Sequence, residues 1–286
     1  MAVYDKNGNS LLTVYDAEGN VLTQAYDIDG NPLLDQNPTR LKVMSYNVGG
    51  WYIGDGTYMP ASSETAYRNL HVSMIQNADP DILCIQEYRK QFSQSGTQAI
   101  DILSPLFPYY EIRQDTTTYY GHAIFSKYPI SNYVTHSYTG DSNRYYDSCT
   151  VTIDGEELTV VNTHFHPTDA SQRVAEVAQL LPYLETLDTF ICCGDYNMID
   201  CKTTEGADYI AIIEPILGEG YHSANCTDFG FLETFKNITS GWTGCLDNIV
   251  TSSDITILQA YVDTTKLTDS ISGKIDHMPL IATLQL

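Results

Sequence analysis

The chain has 286 residues, 43% of them apolar, and carries 14 Lys and Arg against 36 Asp and Glu, a formal charge of −22. That length holds one large domain and a small appendage, and no run approaches the ~20 apolar residues that span a bilayer as a helix. The acidity counts against loose nucleic-acid binding, whose affinity comes from basic contacts to phosphate, but it leaves room for an enzyme whose bound divalent metal reverses the field locally. The opening residues, Met1-Ala2-Val3-Tyr4-Asp5, lack the basic and apolar regions of a signal peptide. The expectation is a soluble chain with no membrane insertion, in a compartment the sequence does not name.

Residues 1–38 read as a repeat and a linker. Tyr4-Asp5, Tyr15-Asp16 and Tyr26-Asp27 recur every 11 residues, each followed by Gly-Asn and then by Leu11, Leu22 or Leu33. Asp, Gly and Asn at these offsets are turn chemistry, and the apolar residues between them suit short strands. Three such units bury little alone. They are expected to pack on the main domain, on a second copy, or on another protein. Pro38 marks the linker.

Residues 39–286 then alternate strands and helices. Leu41–Tyr46 is a strand ending at Asn47. Ser62 and Ser63 can cap a helix that presents Tyr67, Leu70, Met74 and Ile75 on one face and stops at Asp79-Pro80. Ile82–Ile85 is a short buried strand that delivers Gln86 and Glu87. A short helix near Thr97–Leu103 precedes strands at Tyr110–Arg113, His122–Phe125, Asn132–Ser137 and Tyr145–Ile153. Asp154-Gly155 turns the chain into Leu158–Thr163, which ends at His164. A long helix, Ala170–Leu187, sets Val174, Val177, Leu181 and Leu184 on one side, with a kink expected at Pro182. Thr189–Cys193 is a strand that stops at Gly194. Asp208–Leu217 reads as helical, and Leu246–Thr251, Thr256–Val262 and Pro279–Leu284 are the last strands. Strands with helices interspersed imply two stacked sheets covered outside by helices.

Polar residues gather where these strands end: Asn47, Glu87, His164, Asp195 with Asn197, Asp247, and Asp276-His277. Loops at strand ends are where a rigid scaffold displays chemistry. Alternate residues of an extended chain point the same way, so Asp195 and Asn197 can face one pocket. Hard oxygen ligands such as Glu87, Asp276 and Asn47 suit Mg²⁺, Mn²⁺ or Ca²⁺ better than zinc. A histidine whose second nitrogen meets a carboxylate gains a raised pKa and a fixed orientation, the arrangement expected of His277 with Asp247.

Seven stretches in order resemble the endonuclease/exonuclease/phosphatase superfamily, the fold of pancreatic-type deoxyribonucleases. They are Ser45-Tyr46-Asn47, Ile85-Gln86-Glu87, Gly121 through Ile130, Asn162-Thr163-His164, Gly194-Asp195-Tyr196-Asn197, Leu246-Asp247-Asn248 and Asp276 through Leu280. The resemblance implies an α/β protein, a four-layer α/β sandwich of two stacked, mainly antiparallel sheets flanked by helices, with the site at one end. It implies metal-dependent phosphodiester hydrolysis, with Mg²⁺ as the leading ion and DNA as the leading substrate. A sphingomyelinase-like or inositol-phosphatase-like phosphoesterase, or an inactive binding module, is the alternative. Residue by residue, it assigns the metal to Glu87, Asn47 and Asp276. It assigns water and phosphate handling to Asp195, Asn197 and His164, and the essential histidine and its acid to His277 and Asp247. Arg144, Tyr119 and His166 are candidate substrate contacts, while His122 departs from the commonest residue at its position and receives no role.

Seven cysteines is an odd number, without the paired C-x-x-C spacing of a zinc site. Cys84, Cys192 and Cys193 read as small buried residues. Cys201 lies six residues after Asp195 and Cys245 two before Asp247, so convergence of the two acids brings their thiols near each other. Secreted deoxyribonucleases of the superfamily carry a bridge in a similar place. Cys226 is a rival partner for either thiol, and a reducing compartment would keep all three unpaired.

Overall fold

The computed structural model describes residues 39–51, 61–91, 97–114, 121–140, 144–237, 240–265 and 276–286. The N-terminal repeat and Tyr119 lie outside them. Leu41–Leu284 forms one compact unit. In chain order it contains β1 (Arg40–Asn47), a 3₁₀ turn at Gly49–Trp51, α1 (Ala61–Ala78), β2 (Ile82–Tyr88), α2 (Ala99–Leu103), β3 (Tyr109–Gln114), β4 (Gly121–Ser126), β5 (Ile130–Ser137), β6 (Tyr145–Ile153), β7 (Glu156–His164), α3 (Ala170–Leu184) and β8 (Phe190–Asp195). A π-helical turn at Tyr209–Ile213 leads into α4 (Glu214–Gly218), then β9 (His222–Ser223), β10 (Phe235–Lys236), β11 (Thr243–Gly244), β12 (Asp247–Thr251), β13 (Thr256–Val262) and β14 (Leu280–Gln285).

Twelve of the strands build two six-stranded sheets, ordered β13-β14-β1-β2-β4-β3 and β5-β6-β7-β8-β12-β9, and β10 and β11 pair with each other in a two-stranded sheet. Both are mixed. Strands β1 and β2 run parallel, as do β7 and β8, while β2-β4, β3-β4, β5-β6, β6-β7 and β8-β12 are antiparallel. The central strands are covered on both faces, which is why β2 and β8 read as continuous apolar runs rather than as alternating ones. Leu83 and Ile85 of β2 pack outward with Met74 and Ile75 of α1 and Leu103 of α2. On the other sheet, Cys192 packs outward with Val177, Leu180 and Leu184 of α3 and with Ile212 and Ile216. The result is the α/β sandwich the motifs imply. None of its described helices is long and apolar enough to cross a membrane.

Two helix expectations change in detail. Helix α1 begins at Ala61, so Ser62 and Ser63 lie inside its first turn. On α3 the buried face is Arg173, Glu176, Val177, Leu180 and Leu184, and Val174 is exposed. The cause is a buried ion pair. Arg173 Nη2 reaches both carboxylate oxygens of Asp208, at 2.8 and 3.1 Å, and this fork-like contact rotates a charged pair into a face that apolar counting gives to Val174. The cysteines also differ from the Cys201–Cys245 expectation. All seven are buried free thiols, and the Cys201 sulfur faces Cys226 at 3.0 Å. Cys226 adopts φ +67°, which turns its loop into that position.

Polar side chains stitch the two sheets together across their dry interface. Asn162 of β7 donates Nδ2 to the carbonyls of Ile85 (2.9 Å) and Ala123 (3.2 Å) on the opposite sheet. Its Oδ1 accepts from Gln86 Nε2 at 2.7 Å. Each such bond satisfies a group whose burial unpaired costs about 1–3 kcal/mol.

Gly194 marks where β8 runs hardest against its parallel neighbour. A Cβ there would lie 2.5 Å from the Thr163 carbonyl oxygen and 2.6 Å from Thr163 Cγ2. Thr163 is its register partner on β7, so neither backbone can yield without disturbing the ladder. Gly194→Ala is therefore expected to destabilise the protein by about 2–3 kcal/mol, as overpacking a rigid core does. Urea denaturation checks this, and an unchanged midpoint would contradict it.

Candidate active site

Strand register alone places three functional side chains side by side. Asp195 is the last residue of β8, paired across the parallel ladder with His164 and across the antiparallel ladder with Asp247. From the other sheet, β1 ends in Asn47, whose register partner is Gln86. The β2-β4 ladder is irregular between Ile85 and Tyr88, and Glu87 sits within that irregularity at φ +53°. A bulge of this kind re-aims a side chain next to a site. Asn197 is held at φ +49°, a second backbone outlier of the sort that clusters at functional positions.

Asp195 is the hub. Its Oδ2 accepts from Asn47 Nδ2 at 2.9 Å and lies 3.5 Å from both His164 Nε2 and His277 Nε2. Its Oδ1 accepts from the Asn197 backbone N–H at 2.8 Å. Burial pushes Asp195 up to about 7, with the attraction of His277 opposing and the repulsion of Asp247 reinforcing the shift. His277 Nδ1 meets Asp247 Oδ2 at 3.0 Å. Burial alone would lower His277, but Asp247 and then Asp195 outweigh it and push the imidazole up to about 10. His277 is thus charged at neutral pH. His164 is the opposite case: burial, then Arg144, His122 and His277, hold it well below the ordinary histidine value.

Asp247 owes its position to groups the sequence reading did not single out. Thr234 Oγ1 accepts from the Leu246 and Asp247 backbone N–H groups, each at 3.0 Å. Asn225 Nδ2 donates to the Asp247 carbonyl at 2.9 Å. The Phe235 ring stands edge-on to His277 at 5.0 Å. Gln86 and Asn162 lay inside quoted motifs, so a signal for them existed. Thr234 and Asn225 sit in loops with no pattern to flag them.

The remaining expected residues divide. Asn47 Nδ2 also reaches Glu87 Oε1 at 3.2 Å. Burial first, then the nearby Asp276 carboxylate, raise Glu87 above its usual value against Asn47, His277 and Arg144. Arg144 donates to the His164 carbonyl at 3.4 Å, and its charge acts on both Glu87 and His164. His166 is engaged elsewhere: its Nδ1 accepts from the Thr168 and Asp169 backbone N–H groups and its own N–H is bound by Glu176. Those contacts organise the entrance to α3, where Asp169 caps the helix.

Two groups of residues offer metal-ligating atoms. Asp195, Asp247 and His277 bring ligand atoms within 4.8 Å of one another. Yet His277 spends Nδ1 on Asp247, and its other nitrogen carries a proton that a metal would have to displace. Glu87, Asp276 and Asn47 instead offer oxygens, with Glu87 raised by burial and by a like charge. A hard divalent cation fits that set, because it relieves the repulsion that burial magnifies.

The sequence matches the Endonuclease/Exonuclease/phosphatase family profile over residues 44–270. No curated protein matches it. Solved structures share its fold. Truncated Caenorhabditis elegans TDP2 superposes with a TM-score of 0.63 at 17% identity, covering 86% of this chain and 98% of that one. An endonuclease/exonuclease/phosphatase from Bacteroides vulgatus gives 0.65 at 15% identity, covering 87% and 99%. The Bacteroides thetaiotaomicron mannosyl-6-phosphatase Bt3783 gives 0.63 at 17% identity, covering 86% and 100%.

A carboxylate whose folded pKa is raised weakens the fold once it ionises, so its cost is absent in acid and present above that pKa. Without metal, Glu87→Gln is therefore expected to melt above wild type at neutral pH, with the gain vanishing below the ordinary carboxylate range. Mn²⁺ should raise the melting temperature of wild type and raise that of Glu87→Gln less. Calorimetry across pH and Mn²⁺ concentration checks both signs, and equal Mn²⁺ shifts in the two proteins would remove Glu87 from the metal site.

Proposed function

The chain belongs to the endonuclease/exonuclease/phosphatase family, shown by the match over residues 44–270, and from that premise we propose that it hydrolyses phosphate esters with the help of a divalent cation. The observation that carries the proposal is one buried carboxylate, Asp195, in reach of Asn47, His164 and His277 at once. Glu87, Asp276 and Asn47 would hold the cation. When bound, Mg²⁺ or Mn²⁺ supplies Lewis-acid neutralisation of the charge on the phosphoryl oxygens.

The protein's own groups do the rest. Asp195, raised to about 7, is poised as a base near neutral pH and takes a proton from the attacking water. The Asn197 N–H fixes that carboxylate's orientation. His277, kept charged by Asp247, donates to an oxygen that gains negative charge as water adds to phosphorus and the ester P–O bond breaks. His164, neutral and buried, offers a hydrogen-bonding edge to a second phosphoryl oxygen. Arg144 adds positive charge on the same side. Donors fixed in a dry site need no reorganisation when the charge appears, which is the larger part of such catalysis.

The motifs suggest DNA phosphodiesters as the substrate, cleaved internally by water attack. A second reading, a small phosphorylated molecule, is favoured by where the cations go. Lys127 pairs with Asp79 and Asp81, Arg173 with Asp208, and Lys202 with Glu233. These pairs take three of the chain's 14 Lys and Arg, and a formal charge of −22 leaves a weak positive field for tracking a duplex backbone.

Hydrolysis is expected to require Mg²⁺ or Mn²⁺ and to stop in excess chelator. His277→Ala and Asp195→Ala should each lower turnover by at least ~100-fold with the fold intact, the order that acid–base and positioning roles carry. Assays on supercoiled plasmid, an oligonucleotide and small phosphate esters, with circular dichroism on each variant, test this. Full activity in chelator, or near wild-type rates in either variant, would overturn the mechanism.

A further inference from the structure

His122 takes no part in the mechanism above, yet it repeats the pairing geometry of His277. Its Nδ1 meets Asp147 Oδ2 at 3.0 Å. Asp147 is itself fully buried and accepts from Thr135 Oγ1 at 2.5 Å. A carboxylate only accepts, so the proton between them sits on Nδ1. The other ring nitrogen, Nε2, is then the free edge. Among the described residues no hydrogen bond is formed to it, and the side chain is 5% exposed.

The surroundings of that edge are those of the site. The His122 ring centroid is 6.5 Å from that of His164. Hydrogen bonds of about 2.8 Å to two oxygens of one phosphate set their protein partners roughly 5–7 Å apart, a span comparable to the separation of the two rings. Arg144 lies on the same side, bonded to the His164 carbonyl. Behind, Tyr145 packs its ring 4.4 Å from His122 and carries the Arg113 guanidinium 3.7 Å above its centroid. Among the described residues, Arg113 Nη1 is buried there without a hydrogen-bond partner. In a chain of net charge −22, this corner gathers two guanidinium groups, Arg113 and Arg144, near His164.

We propose that His122, oriented by Asp147, binds a third phosphoryl oxygen and so selects phosphate monoesters over phosphodiesters. The proposal rests on the phosphoesterase reading and narrows it. A diester has two non-bridging oxygens, which the cation side and His164 already serve, and it carries no proton for Nε2. A monoester has a third oxygen. As a monoanion its P–OH donates to neutral Nε2; as a dianion its oxygen accepts from the imidazolium. The two states differ only in where one shared proton sits. The reaction is then water plus monoester giving free alcohol and inorganic phosphate: water adds to phosphorus, the ester P–O bond breaks, and the alcohol oxygen leaves with a proton.

The experiment uses the full chain with Mn²⁺ and two chromogenic probes, p-nitrophenyl phosphate and bis(p-nitrophenyl) phosphate. In His122→Asn the amide nitrogen replaces Nδ1, keeping the bond to Asp147 and removing the Nε2 edge. In His122→Gln the amide replaces Nε2. The monoester-to-diester ratio of kcat/KM is expected to fall about tenfold or more in His122→Asn, the order set by losing one charge-assisted hydrogen bond, and to recover in part in His122→Gln. Inhibition by inorganic phosphate should weaken in His122→Asn in parallel. If both substrates lose activity equally, with phosphate inhibition unchanged, His122 only joins the sheets and the proposal is overturned. A wild type that cleaves the diester alone also overturns it, while leaving the phosphoesterase reading standing. A wild type that cleaves neither probe brings down both.

Discussion

The site depends on one constraint: carboxylates buried between two sheets must be met by donors from both. Asp195 ends a strand of one sheet, and the amide that holds it, Asn47, ends a strand of the other. Isolated burial of a charge costs several kcal/mol even after relaxation, so Asp195 is tolerable only where Asn47, the Asn197 N–H and two histidines surround it. The Asn162 and Gln86 bonds one layer deeper fix the distance between the sheets. The geometry at Asp195 is therefore a property of the sandwich as a whole.

The same dry setting divides the labour among chemically similar groups. Two histidines face one carboxylate, yet burial leaves His164 neutral while Asp247 keeps His277 charged. Two sets of acidic groups lie close together, yet only the Glu87 set is free of a protonated histidine. Environments that push like groups apart assign acid, base and ligand roles without any change of residue type. The backbone outliers at Glu87 and Asn197 sit on either side of that division, where a strained turn is held by the strands that flank it.

Much of this was legible in the sequence because strand-end polar residues after apolar runs have few other uses. Asn47, Glu87, His164, Asp195, Asp247 and His277 each close or open a strand or its loop, and the two sheets followed from strands with helices interspersed. What escaped had physical causes. Arg173 and Glu176 occupy the buried face of α3 because Arg173 pairs with Asp208 and Glu176 accepts from the His166 backbone N–H, contacts that periodicity cannot register. The two-residue strands β9, β10 and β11 carry no pattern. The choice between Cys245 and Cys226 as the neighbour of Cys201 stayed open in the sequence, and the structure sets Cys226 against it. His166, a candidate substrate contact, bonds to the backbone at the entrance to α3. Thr234 and Asn225 act through backbone groups, and such contacts leave no mark on composition or spacing.

In the proposed mechanism the cation and the proton chemistry occupy separate places, with Glu87, Asp276 and Asn47 holding one and Asp195 with His277 and Asp247 performing the other. Anomalous diffraction from crystals of the protein grown with Mn²⁺ locates the ion directly. A peak within coordination distance of Glu87, with His277 still bonded to Asp247, is the predicted result. A peak bound by Asp195, Asp247 and His277, with no ion at Glu87, would contradict it.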